Sequence, residues 1–304
     1  MTAALGLALP LAGRGDDAAG FAAELVREVR AADEAGFELC LVPEHHGGPP
    51  ASIVAPLTFS AALAAVTERI RIGPGVLVLG VHDPLHVAEQ LTMLDQLAGG
   101  RAVLGVGVGY QREDFEPFGI DVAERGPRFE AALARLTELL GTIVPAPVQQ
   151  PRPPIWIGAW SQVGVRRAAR MADGWIADPI RTVTEVAEMA ERYRSLCADG
   201  RGTVIVMREA WVGDDVAAFE RAIAPVFRYY RRRGAAELPE DFAALARDRF
   251  VFGDADRCLE QIDEIAAQTG ADIVVLTLRQ PGGPPHERVL EDIRGLGAAR
   301  GALA

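Results

Sequence analysis

The sequence predicts an α/β fold, a (β/α)8 TIM barrel with an insertion after strand seven, from three observations. Eight short apolar runs recur along the chain, helical spacing fills the stretches between them, and most chemically useful polar residues directly follow a run. Barrels of this kind carry their chemistry at the C-terminal rim of the strands. The runs lie at residues 5–9, 39–42, 70–79, 102–108, 155–159, 175–177, 204–212 and 273–278.

The composition indicates one domain that covers residues 1–304, because no Gly/Ser-rich or Pro-rich linker divides the chain. The net charge of −11 argues against a nucleic-acid partner, and the absence of lysine excludes a Schiff-base lysine and a P-loop. With no leader pattern and no apolar stretch of about 18 residues, we expect a cytoplasmic protein without a membrane partner. Cys40, Cys197 and Cys258 are odd in number and widely spaced, which favours free thiols.

The first helices have recognisable ends. Asp16 or Asp17 is suited to cap the first helix, which Gly36 ends. The second helix, residues 56–66, carries few charges on any side, so we expect it to pack against a second subunit in a homodimer as well as against the barrel. The third helix covers residues 85–97 and ends at a Gly-Gly pair.

After strand four the pattern predicts a loop at residues 109–119, a fourth helix at 125–140 and a proline-rich connection at 145–154. Residues 213–256 form the predicted insertion, and long βα loops often act as lids. Its Phe227, Tyr229 and Tyr230 are candidates to cover a substrate, although aromatic packing beneath the lid is the simpler interpretation. Helices at residues 257–269 and 286–296 flank the last strand.

Three titratable residues, Glu44, His45 and His46, follow strand two. Imidazole exchanges protons near neutral pH, so these residues are candidates for acid/base catalysis. A metal site is the weaker alternative, because neighbours in an extended chain point to opposite sides and no HExxH spacing occurs. A loop with two solvated histidines is the remaining interpretation.

Strand four ends in alternating glycines, from Gly105 through Gly107 to Gly109, with Val108 and Tyr110 beside them. Missing side chains on one face leave bare backbone, against which a flat ring can lie. The spacing is GxGxG, which differs from the GxGxxG of dinucleotide-binding folds. Tight packing inside the barrel explains the same glycines without a ligand.

A helix begins after strand five, where Ser161 occupies the N-cap position between Trp160 and Gln162, with Gly164 in the first turn. Free backbone N–H groups and the helix dipole favour a phosphate at such an end. An ordinary helix cap is the alternative, and the spacing does not match a GxSxG nucleophile elbow. Together, the three candidate regions predict a site for a flat, phosphorylated ligand.

At this point the chain resembles the luciferase-like monooxygenase family, which includes bacterial luciferase and alkanesulfonate monooxygenase. No single motif is decisive, but their joint order is specific and covers nearly the whole chain. The matching segments are residues 42–46 (VPEHH), 71–76, 82–85, 94–101, 105–110, 113–115, 118–119, 124–128, 153–158, 168–175 (AARMADGW) and 270–272.

The resemblance implies a monooxygenase that uses reduced FMN and O2 on a small or medium-sized organic substrate, with a separate flavin reductase as partner. It also implies roles for individual residues. His45 matches the catalytic histidine, with His46 and Glu44 in support, and Gly107 matches the position beside the flavin ring. Trp160 and Ser161 match the phosphate-binding turn, and Gly164 stands where some members have threonine.

Two departures from the family pattern leave other functions open. Val108 stands where many members have an arginine that pairs with the flavin phosphate. Either Arg112 or another arginine substitutes for it, or the affinity for flavin is low or the cofactor is different. The segment between Leu140 and Pro153 is shorter than in many relatives. One alternative is a hydride-transferring oxidoreductase that uses an 8-hydroxy-5-deazaflavin coenzyme; another is a flavin-binding homologue without catalysis.

Overall fold

A computed structural model describes residues 2–10, 17–46, 53–200, 202–232, 238–239 and 241–303. Its strands are β1 (Ala4–Ala8), β2 (Leu39–Val42), β3 (Arg71–Pro74), β4 (Leu77–Val78), β5 (Leu104–Gly107), β6 (Ile155–Gly158), β7 (Gly174–Ala177), β8 (Thr203–Val212), β9 (Val251–Gly253) and β10 (Ile273–Thr277). Its helices are α1 (Ala18–Glu34), α2 (Pro56–Ala64), α3 (Pro84–Leu97), α4 (Arg125–Leu140), α5 (Gln162–Met171), α6 (Val183–Leu196), α7 (Val216–Arg232), α8 (Phe242–Arg247), α9 (Ala255–Thr269) and α10 (His286–Leu303).

The strands pair in parallel in the order β3-β2-β1-β10-β8-β7-β6-β5-β4. The predicted third strand is split in two: β3 pairs with β2, and β4 pairs with β5. A further parallel bridge between Ile72 of β3 and Ala102, just before β5, brings β3 beside β5 and nearly closes the ring. The (β/α)8 prediction is therefore confirmed, and the strand break at residues 75–76 is the main departure from the predicted runs.

Apolar residues on both faces of the strands build two layers of core. In β2, Leu39 and Leu41 belong to the cluster inside the ring, whereas Cys40 and Val42 pack in the cluster between strands and helices. This alternation is the two-residue period of a strand that is buried on both faces. The cysteines are free, as predicted, and Cys40 and Cys258 are buried.

Helix ends follow the capping chemistry of the sequence. The Asp17 side chain accepts from the backbone N–H of Gly20 at 2.8 Å and begins α1, while Asp16 lies outside the described residues. Gly99 and Gly100 both have positive φ directly after α3. Helix α4 has the predicted bounds, α2 ends two residues early, and α10 continues to Leu303. No helix in the described ranges combines the length and the apolar content of a membrane span.

The insertion after β8 folds as α7, α8 and β9, with β9 paired to β8 outside the ring. Its apolar side chains form a separate cluster around Phe219, and Phe227 packs against that cluster. The packing interpretation therefore holds for Phe227. The side chains of Tyr229 and Tyr230, together with most of the predicted break at residues 234–240, lie outside the described part of the chain.

Candidate functional site

The C-terminal ends of the barrel strands surround a cavity of about 400 Å³. This position is where barrels of this type hold ligands. Most residues predicted from sequence line it, namely Glu44, His45, Gly107, Val108, Gly109, Tyr110, Trp160, Ser161 and Gly164. Two predicted residues, His46 and Gln162, do not line this cavity.

His45 lies at the cavity wall with its Nδ1 turned towards buried polar groups. Nδ1 is 3.4 Å from each carboxylate oxygen of Asp114 and 3.1 Å from Nε2 of Gln111. Asp114 also accepts from the backbone N–H of His46 at 2.8 Å. A short 3-10 helix in the predicted 109–119 loop brings Asp114 to this position. The imidazole is thus oriented from behind by an acid that the sequence analysis did not single out.

Glu44 is the centre of a second polar cluster behind the cavity. One of its oxygens, Oε2, accepts from the backbone N–H of Val78 at 2.6 Å. The other, Oε1, is hydrogen-bonded to Nε2 of His82 at 2.9 Å. His46 Nε2 lies 3.3 Å from the same oxygen, close enough for an ion pair but without hydrogen-bond geometry. Glu44 therefore connects the ends of β2 and β4 to the segment before α3.

The Glu44 carboxylate is strongly stabilised in its charged form. Burial acts to raise the pKa of Glu44, but the contacts with His46, His82 and the Val78 N–H outweigh burial and lower this pKa to about 2. The same ion pair raises the pKa of His46, against the opposing effect of burial. At neutral pH Glu44 is therefore an anion that holds its two histidines in place.

The ligating atoms of Glu44, His46 and His82 all lie within 4.8 Å of one another, so this trio has donor types that suit a metal ion. In the sequence, a metal site was the weaker alternative because adjacent residues of an extended chain point to opposite sides. Glu44 and His46 are two residues apart, and hence they share a side with His82. The ion pair and the hydrogen bond described above explain the same arrangement of side chains without a metal.

One wall of the cavity is built from glycine and Val76, and we call it the glycine wall. The side chain of Val76 rests against Gly107 and Gly158, where a Cβ atom would lie 2.6 Å and 2.7 Å from its methyl groups. Gly105 does not line the cavity, and a Cβ there would meet the Pro74 carbonyl oxygen at 2.6 Å. Close packing therefore explains Gly105, whereas Gly107 and Gly158 seat an apolar side chain that lines the cavity.

The N-terminus of α5 forms one end of the cavity. The Ser161 hydroxyl accepts from the Gly164 N–H at 3.1 Å, which confirms the predicted N-cap. Arg125 and Arg167 line the cavity at this end, whereas Arg112 does not. Arg167 is held by Glu130 through a 2.6 Å hydrogen bond, which lowers the pKa of that carboxyl. The end thus offers helix N–H groups and two guanidinium groups to an anion.

Two aromatic rings stand at the edge of this end. The rings of Tyr110 and Trp160 have centroids 5.0 Å apart, and both side chains are exposed. The His45 ring meets Tyr110 edge-on at 6.4 Å. A flat ligand on the glycine wall would therefore have aromatic groups beside it.

Another part of the cavity lining carries acids that the sequence analysis did not single out. Asp178 follows β7, and Glu209 lies within β8. Burial raises the pKa of Asp178 to about 6, against the opposing hydrogen bond from the Ile180 N–H and the charges of Arg181 and Arg208. Arg279 also lines the cavity, but its guanidinium is bound to two carboxylates of α1. The only advance signal for Asp178 and Arg279 was their position directly after predicted strands, and Glu209, which lies inside a predicted strand, had none.

Comparison with known proteins gives a consistent family. The model of the luciferase-like monooxygenase family matches residues 4–272. Limonene 1,2-monooxygenase of Rhodococcus erythropolis is 37% identical over 131 residues, which cover 42% of this chain and 33% of that protein. The y4vJ protein of Sinorhizobium fredii is 30% identical over 226 residues, 67% of this chain and 64% of that protein.

Solved structures share the fold at low sequence identity. The monooxygenase RslO1 from Streptomyces bottropensis has a TM-score of 0.86 at 22% identity and covers 99% of this chain and all of its own. A type II Baeyer-Villiger monooxygenase of Pseudomonas putida in complex with FMN has a TM-score of 0.81 at 17% identity, covering 98% and 97%. An F420-dependent secondary alcohol dehydrogenase has a TM-score of 0.79 at 15% identity, covering both chains in full.

Proposed function

Because this chain belongs to the luciferase-like monooxygenase family, we propose that it uses reduced FMN and O2 to oxygenate a small or medium-sized organic molecule. When bound, the reduced flavin supplies the electrons that activate O2. One observation carries the proposal: a single cavity combines an oriented histidine, an apolar wall seated on glycines and a helix N-terminus with two arginines.

The α5 end fits the cofactor phosphate. Ser161, the first N–H groups of α5, Arg125 and Arg167 would hold it, and the two arginines would replace the charge that Val108 cannot provide. The glycine wall fits the ring, because Val76 offers an apolar surface there. Trp160 and Tyr110 would border the bound cofactor.

His45 would carry the proton chemistry. Its Nδ1 faces Asp114 and Gln111, so Nε2 would be the atom that holds or passes a proton on the cavity side. Asp114 would keep the ring in one orientation. Glu44 and His46 would act indirectly, by fixing the chain on either side of His45.

Flavin reoxidation tests this function directly. We expect protein-bound reduced FMN to reoxidise when it is mixed with O2. The rate in His45→Ala should differ from the wild-type rate by about a hundredfold, which is the effect typical of losing an acid/base group. His86→Ala is the matched control, because His86 is exposed on α3 and is not among the residues that line the cavity. Equal rates in all three proteins, or no FMN binding, would contradict the proposal.

A deazaflavin-dependent hydride transfer is the second candidate, and Val108 is the observation that favours it. The absence of an arginine at this position weakens the argument for FMN in particular. Anaerobic assays separate the two functions, since hydride transfer to or from the deazaflavin proceeds without O2. Turnover under nitrogen with that coenzyme, and none with FMN in air, would support the second candidate.

The proposed system further includes a separate flavin reductase, a cytoplasmic location and a homodimer that uses α2. Light scattering of the purified protein tests the dimer. We also propose that Glu44, His46 and His82 work as an acid–imidazole cluster without a metal. Elemental analysis tests this point, and one equivalent of a transition metal per chain would overturn it.

A further inference from the structure

Arg208 is a buried guanidinium with part of its hydrogen-bonding capacity unused. It lies in β8 and is 0% exposed. Its Nη1 donates to the Met207 carbonyl at 2.9 Å, but Nε and Nη2 have no partner among the residues that the structure describes. A charged group is expensive to bury without hydrogen-bonded partners, so packing alone does not account for an arginine at this position.

The side chain of Arg208 stands on the outer face of β8 and acts on Asp178 at the end of the neighbouring strand. Ile205 and Met207 belong to the cluster inside the ring, whereas Val206 packs between strands and helices. Because side chains alternate along a strand, Arg208 shares the outer side with Val206. Its charge favours the ionised form of Asp178. A cation that no described carboxylate neutralises through a hydrogen bond thus supports a carboxylate of the cavity.

Asp178 brings this carboxylate to the cavity. It follows β7 directly, lines the cavity and is half-buried. Its Oδ1 accepts from the backbone N–H of Ile180 at 2.7 Å, which fixes the side chain. This is the only hydrogen bond of the Asp178 side chain to a described residue, and hence Oδ2 keeps its capacity to accept one from a ligand. With a pKa of about 6, the group is mainly charged at neutral pH.

The charged groups with the largest effect on Asp178 are both arginines. Arg208 acts from β8 and Arg181 from the loop after β7, and both oppose the effect of burial on the pKa of Asp178. Arg249, whose Nε donates to the Ile180 carbonyl at 2.8 Å, adds a further positive charge near Arg208. An ammonium ligand would be repelled by these cations. A neutral O–H group gains a charge-assisted hydrogen bond without that repulsion.

Apolar side chains adjoin Asp178 in the cavity lining. Ile176 and Pro179 are close to it along the chain, and the register of β7 with β8 brings Met207 beside it. Glu209 of β8 also lines the cavity but is only 3% exposed. The surroundings of Asp178 therefore suit an apolar molecule that carries a single hydrogen-bond donor.

From this arrangement we propose that Asp178 binds the hydroxyl group of an apolar organic molecule, that Arg208 is the positioning residue for this carboxylate, and that such hydroxyl compounds are the substrate class. The substrate class rests on the function proposed above, whereas the binding site does not. Asp178 accepts a hydrogen bond from the hydroxyl group, and no covalent bond forms or breaks there.

Three benzyl compounds of similar size test the site: benzyl alcohol, benzyl methyl ether and benzylammonium. We expect calorimetry on the wild-type protein at neutral pH, with and without FMN, to show the tightest binding for the alcohol. Asp178→Asn should weaken alcohol binding by about tenfold, because a neutral hydrogen bond replaces a charge-assisted one. The same variant should leave ether binding nearly unchanged.

The pH dependence tests the part played by Arg208. Alcohol binding to the wild type should weaken as pH falls through about 6, where Asp178 takes up a proton. Arg208→Gln removes a charge that lowers the pKa of Asp178, so the midpoint should move to higher pH. Arg208→Lys should restore most of the wild-type midpoint. A midpoint that stays in place in Arg208→Gln would overturn the positioning role.

Asp214→Asn and Arg192→Gln are the matched controls, because both residues are exposed and neither lines the cavity. They should leave alcohol binding and its pH dependence unchanged. Equal wild-type binding of the three compounds, tighter binding of benzylammonium, or an unchanged preference in Asp178→Asn would overturn the proposal. The wild-type ranking and its pH dependence decide even if a variant fails to fold. A preserved alcohol preference without FMN binding would support the site and count against the proposed function alone.

Discussion

Replacing Glu44 by Gln tests the physical argument for the cluster behind His45. The change keeps the size of the side chain and removes its charge. The amide can still accept one hydrogen bond from the Val78 N–H or from His82, but it cannot form the ion pair with His46. We therefore expect a loss of stability together with a fall in the pKa of His46.

The expected magnitude follows from two estimates. The pKa of Glu44 lies at about 2 instead of the ordinary 4.5. This difference corresponds to about 3 kcal/mol in favour of the charged form. Removing one partner of a buried ion pair typically costs about 3 to 5 kcal/mol. We accordingly expect Glu44→Gln to lower the free energy of unfolding by about 3 kcal/mol near neutral pH.

The pH dependence has a defined sign. Because the pKa of Glu44 is lower in the folded state, its contribution is present above 4.5 and is lost as pH falls towards 2. Urea denaturation at a series of pH values should therefore show the gap between wild type and variant narrowing in acid. NMR titration should show the raised pKa of His46 moving down in the variant.

Glu116→Gln is the matched control, since Glu116 is exposed in the loop that follows β5. A surface change of this kind should alter stability by less than about 0.5 kcal/mol. The reasoning fails if both variants lose the same free energy. It also fails if the deficit of Glu44→Gln stays constant as the pH is lowered.

Three further changes have defined outcomes. Gly107→Ala places a Cβ 2.6 Å from a methyl group of Val76, and the Val76 side chain must then shift into the cavity. We expect the Kd for FMN, measured by fluorescence titration, to rise about tenfold. An unchanged Kd would argue against the glycine wall. Asp33→Asn weakens three hydrogen bonds of 2.7 to 2.9 Å from backbone N–H groups, and it should lower the free energy of unfolding in urea by about 2 kcal/mol. Because those bonds lower the pKa of Asp33, the stability difference between wild type and variant should shrink in acid. Arg279→Gln removes the guanidinium that binds Glu24 and Glu28 of α1, and it should cost about 3 kcal/mol in thermal or urea unfolding. A loss below about 1 kcal/mol would mean that this pairing contributes little.

The barrel could be predicted from sequence because most strands are apolar on both faces and several helices have their own end signals. Asp17, Ser161 and the Gly99-Gly100 pair act within a few residues of their own position, so local chemistry was sufficient. The break between β3 and β4 was missed, because residues 70–79 read as one apolar run.

The site was only partly predictable, because several of its polar contacts join segments that lie far apart in the sequence. Asp114 is 69 residues from His45, and His82 is 38 residues from Glu44, yet they form the two clusters. No local pattern joins such pairs. Arg167 and Glu209 were likewise hidden, the first within an ordinary amphipathic helix and the second inside a strand.

The first strand of the barrel lies beside the last one. Strand β1 pairs with β10, and Glu28 of α1 contacts Arg279 and His286, which are 251 and 258 residues further along. During synthesis, the acids of α1 therefore gain these partners only after the segment around β10 has been made. A circular permutant in which α10 directly precedes β1, and which opens in an exposed connection, would make these contacts local, and it should fold faster than the present order.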